Sequence, residues 1–106
     1  MMADYRFVWN ERLHIHLPEL EREWELYSRE VQARIIEEWE LIRGRIPDLI
    51  MQLEQSINGK QAELNNEENF ERSCLLNAQI AEYASRINDL HIWYRLNQEL
   101  ESRRHS

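Results

Sequence analysis

The sequence predicts an all-α protein, an antiparallel three-helix bundle with long helices, coiled-coil-like packing and an N-terminal arm. Three observations predict it. Breakers are scarce, with 2 Gly and 2 Pro among 106 residues. Charged residues make up 31% of the chain, the proportion expected of long solvated helices. Apolar residues recur at helical spacing along three separate stretches. A chain of this length reads as one domain.

The arm, residues 1–17, carries Tyr5, Phe7, Val8 and Trp9. Tyr5, Trp9, Leu13 and Leu17 fall four apart, which favours a short helix or an extended arm docked by its aromatics. A hairpin turning at Asn10-Glu11 is the competing reading. It would split the apolar residues between two faces, and Asn-Glu is not a favoured turn pair.

A first helix is expected over about residues 18–43. Pro18 suits a first helical turn, where a missing N–H costs nothing, and Glu19, Glu21 and Glu23 suit the positive end of the dipole. Leu20, Trp24, Tyr27, Val31, Ile35, Trp39 and Ile42 then hold one face. Gly44 between Arg43 and Arg45 reads as a helix stop with cations at the carbonyl end. Gly44 and Pro47 together predict a true break, in preference to a single kinked rod.

The second helix is expected over about residues 47–64, with Ile46, Leu49, Ile50, Leu53, Ile57 and Leu64 on one side. Asn58-Gly59 could interrupt it, but Leu64 keeps the register of Ile57, so it is expected to run through. Asn65, with Glu68 three residues on, has capping-box spacing and predicts a third helix over about 67–102. Leu76, Ile80, Tyr83, Ile87, Leu90 and Tyr94 form its seam. Beside that seam, Cys74, Ala78, Ala81, Ala84 and Ser85 would let a neighbouring helix approach closely.

After Tyr94 the seam predicts Asn97 and Glu101, both polar, while apolar character moves to Ile92, Trp93, Leu96 and Leu100. One helix turn around residues 90–94 is thus apolar on nearly every side, and such a turn must be covered on more than one face. Either the arm covers it, or it is an interface for a second copy or another protein, where Trp and Tyr are favoured anchors. Leu90, Ile92, Trp93, Leu96 and Leu100 are therefore the candidate interface.

Chemistry-bearing residues are sparse. His14-x-His16 and the acidic trio Glu67, Glu68 and Glu71 are the candidate metal ligands. The trio matches the E-E-x-x-E element of the MazG-type all-α nucleotide pyrophosphatases, which hold Mg²⁺ with carboxylates. Their second element, E-x-x-D, is missing: Ser85 stands three residues after Glu82, and Arg86 three before Asp89. Ferritin-like di-iron bundles need two Glu-x-x-His pairs, and only Glu11 and His14 supply one. Asn97 and Glu101 replace the serine and aspartate of the S-Q-E-L-D signature found in a family of small phosphatases. Cys74 and His91 read as packing residues. The chain is assigned to no family by its motifs.

The net charge of −7 argues against broad nucleic-acid binding, which needs cations to replace phosphate counterions. No apolar run is long enough to span a membrane and no signal peptide is seen. One cysteine permits no internal disulfide and fits a reducing compartment. The functional expectation is a cytoplasmic module without a cofactor. It would act by association with a protein partner or as a homodimer, as an adaptor or regulator. The alternative is a small metal- or nucleotide-dependent hydrolase built on the acidic trio or the two histidines.

Overall fold

A computed structural model describes the backbone of residues 4–105 and the side chains of residues 4–96. In chain order it contains β1 (Tyr5–Asn10), β2 (Ile15–Leu20), a 3-10 turn (Trp24–Leu26), α1 (Arg29–Arg43), α2 (Ile46–Asn65) and α3 (Phe70–His105). The protein is 70% helical, but it is not a three-helix bundle. It has a small two-stranded antiparallel sheet, one bent 37-residue helix made of α1 and α2, and the long α3.

Two physical causes separate this fold from the expected bundle. The first is Gly44. It keeps right-handed helical geometry (φ −60, ψ −19) instead of the left-handed conformation of a helix stop. Its N–H donates to Glu40 O at 3.0 Å, and Arg45 N–H donates to Ile42 O at 3.0 Å. Pro47 then falls in the first turn of α2, where it withholds an N–H from the carbonyl of Arg43 without ending the helix.

The second cause lies in the arm, which is a hairpin and neither a short helix nor an irregular extension. Tyr5 pairs with Leu20, Phe7 with Pro18 and Trp9 with His16, around a loop of residues 11–14. Asn10 builds that loop: its carbonyl accepts from His14 N at 2.8 Å and its side-chain Oδ1 from Leu13 N at 2.8 Å. His14 closes it in the left-handed region at φ 58. Pro18 consequently lies in a strand, and Glu19 serves an ion pair with Arg6 at 3.1 Å rather than a helix dipole. The first α-helix starts eleven residues later than expected (Arg29 for Pro18), with the Ser28 hydroxyl accepting from Val31 N at 3.2 Å.

The chain forms two compact units, residues 1–45 together with 93–106, and residues 46–92. In the first, Trp24, Tyr27, Ile35 and Ile36 form a buried cluster against which Tyr5, Phe7 and Val31 pack. The Tyr27 hydroxyl ties the hairpin base to the turn that follows. It donates to Asp4 O at 2.6 Å and accepts from the amides of Glu21 and Arg22 at 3.1 and 3.2 Å. Buried Gln32 of α1 donates its amide to Trp24 O at 2.9 Å. Farther along α1, buried Trp39 meets Trp93 of α3 edge-on, with ring centroids 6.0 Å apart. Arg43 donates to Tyr94 O at 2.7 Å and lays its guanidinium 4.0 Å above the Tyr94 ring.

The second unit is an antiparallel helix pair. Ile46 and Ile50 of α2 and Leu76 and Leu90 of α3 are buried, while Ile57, Ile80, Tyr83 and Ile87 are half-buried along the same seam. α2 passes through Asn58-Gly59 unbroken. Asn69, not Asn65, caps α3, its Oδ1 accepting from Arg72 N at 2.9 Å. Asn66 instead serves the end of α2 by donating its side-chain amide to Ala62 O at 3.2 Å.

Candidate functional site

The two arm histidines are drawn to a tryptophan. Trp9 stands opposite His16 at a strand position where side chains approach most closely, and its ring centroid lies 5.1 Å from that of His16 and 5.6 Å from that of His14. The indole N–H donates to Glu11 Oε2 at 2.8 Å. Both imidazoles are exposed, and they flank one aromatic ring instead of converging on a third ligand.

The acidic trio is also dispersed by its local structure. Glu67 Oε1 accepts from Asn69 N at 3.1 Å, which makes it a loop-forming residue. Glu68 and Glu71 are exposed on either side of the Asn69 cap. Among the described residues, no three His, Cys, Asp or Glu side chains are placed to hold a metal ion.

The apolar candidates of α3 divide by environment. Leu90 is buried and Ile92 is 53% exposed, both in the second unit. Trp93 and Leu96 are half-buried in the first unit, Trp93 against Trp39. The side chain of Leu100 lies outside the described residues. His91 is exposed, and so is Cys74, which corrects their reading as packed residues.

Periodicity did not reveal where the exposed apolar surface lies. The small residues Cys74, Ala78, Ala81, Ala84 and Ser85 are all exposed. Phe70 (80% exposed) and Leu75 (48%) join them in the second unit, and Val8 (39%) and Trp9 (42%) stand out from the hairpin of the first. At 100° per residue, Phe70, Cys74, Ala81, Ser85 and Ile92 fall on the side of α3 opposite the buried seam, so the small-residue spacing was the available signal. No protein family, curated protein or solved structure matches the chain. Among the described residues, no helix is long and apolar enough to cross a membrane.

Proposed function

We propose that the protein is a cytoplasmic adaptor or regulatory module that acts by protein–protein association, with a second copy of itself as a partner. The observation that carries this reading is the set of large apolar side chains left exposed among the described residues: Val8, Trp9 and Leu20 on the hairpin, Leu26, Leu41 and Met51 on the turn, α1 and α2, and Phe70, Leu75 and Ile92 on α3. Single exposed apolar groups need no explanation, and support for an interaction surface comes from the elements that carry more than one, β1 with Val8 and Trp9 and α3 with Phe70, Leu75 and Ile92. A hydrolase would need converging ligands, whereas the arm histidines flank Trp9 and Glu67 of the acidic trio accepts from Asn69 N.

The test is the dependence of thermal unfolding on protein concentration. A native state that associates is stabilised by mass action, so its midpoint rises with concentration. A midpoint that stays flat from micromolar to millimolar protein contradicts self-association.

A further inference from the structure

The hairpin has two edges, and they differ in the backbone groups they offer for pairing. Glu21 N–H donates to Asp4 O at 3.0 Å, so the Asp4–Glu21 pair is hydrogen-bonded. Antiparallel ladders alternate, so Arg6–Glu19, Val8–Leu17 and Asn10–Ile15 are hydrogen-bonded pairs as well. Tyr5–Leu20, Phe7–Pro18 and Trp9–His16 are the non-hydrogen-bonded pairs, whose backbone groups point away from the partner strand. On the β2 side the central outward position is Pro18, which has no N–H to offer, so that edge is blunted. On the β1 side the outward groups belong to Tyr5, Phe7 and Trp9, every one with a donor and an acceptor. Among the described residues no third strand joins the sheet.

The usual guards of an edge strand are proline, lysine and inward charge. β1 has none of these. Arg6 is its one charged residue and is already paired with Glu19. Val8 and Trp9 are exposed on opposite faces of the strand.

We infer that β1 is the self-association surface, pairing antiparallel with β1 of a second copy about a two-fold axis at Phe7. This rests on the association reading above and names its surface and partner. In that register Tyr5 faces the partner's Trp9 and the two Phe7 residues face each other. These pairs exchange about six backbone hydrogen bonds, because each hydrogen-bonded pair contributes two. Arg6 falls opposite the partner's Val8 at a close, non-hydrogen-bonded position. Sliding the strands so that residue 6 meets its own copy would set two arginines face to face, which like-charge repulsion disfavours. Aromatic cross-strand pairs favour the Phe7-centred register. Because each copy carries −7, added salt should strengthen the pairing.

Residue-resolved amide hydrogen exchange at two protein concentrations tests the inference, together with Val8→Lys and Val8→Glu. The amides of Tyr5, Phe7 and Trp9 should gain protection as concentration rises, while those of His16 and Leu20 do not. The Arg6, Val8 and Asn10 amides, bonded within the hairpin, should be protected throughout. Val8→Lys sets two like-charge encounters across the dimer and should weaken it about tenfold, whereas Val8→Glu, opposite arginine, should leave it within about threefold. Circular dichroism confirms that both variants keep the fold. A dimer with unchanged exchange at Tyr5, Phe7 and Trp9, or with equal responses to the two variants, overturns edge pairing and leaves the association reading standing. A chain that is monomeric at every concentration overturns edge pairing and self-association together.

Discussion

At the residue scale, single polar atoms hold the hairpin in place. Tyr27 is buried, and its hydroxyl serves three backbone groups at once. Tyr27→Phe keeps the ring packed against Tyr5 and Trp24. It leaves the Arg22 amide without this acceptor, while Glu21 N–H still has Asp4 O. The expected loss is about 1–2 kcal/mol, read from urea unfolding. A variant as stable as wild type would show that the hydroxyl does not tie the hairpin to the following turn. Asn10 and Asn69 do comparable work with short side-chain amides. Asn10 Oδ1 organises the loop of the hairpin, and Asn69 Oδ1 starts α3.

At the element scale, Gly44 and Pro18 explain why the expected bundle and the observed fold differ. Each obeys a rule that two structures satisfy. Proline is tolerated in a first helical turn and equally at an outward position of an edge strand. The choice between them depends on which residue lies across the sheet, and for Pro18 that residue is Phe7. Glycine commonly ends a helix by turning left-handed, and Gly44 stays right-handed. Gly44→Ala follows directly. A β-carbon there would meet Glu40 O at 3.5 Å, an ordinary van der Waals distance. Alanine also carries less chain entropy into folding, so stability should rise by about 0.5–1 kcal/mol. A loss of about 1 kcal/mol in the same unfolding experiment would mean that Gly44 is a left-handed stop and that the rod is broken there.

The helical seams were legible because burial on one side of a helix writes itself into spacing. Leu76 and Leu90 are fully buried, as are Ile35 and Trp39 on α1. The hairpin was not legible in that way. Its turn lacks the Asn-Gly signature, and its left-handed position is filled by His14. The apolar residues Tyr5 and Trp9 fit helical spacing as well as strand alternation. Asn10, followed three residues later by the amide its side chain binds, was the one local clue. The candidate interface was only partly readable for a related reason. Spacing shows that a turn of α3 is apolar all round, but which of Leu90, Ile92 and Trp93 is covered depends on neighbours far away in sequence.

At the scale of the whole molecule, each of the two units leaves surface uncovered. The small-residue side of α3, which a third helix could have approached, is exposed, and β1 keeps an edge whose hydrogen-bonding groups point outward. Both surfaces suit association, and no described cluster of side chains is arranged to hold a metal ion. The central claim is that the chain associates with itself. Size-exclusion chromatography with light scattering, over a range from micromolar to millimolar protein, measures this most directly. The mass should rise with concentration from 13.0 kDa towards twice that value. A constant 13.0 kDa across the whole range would contradict it.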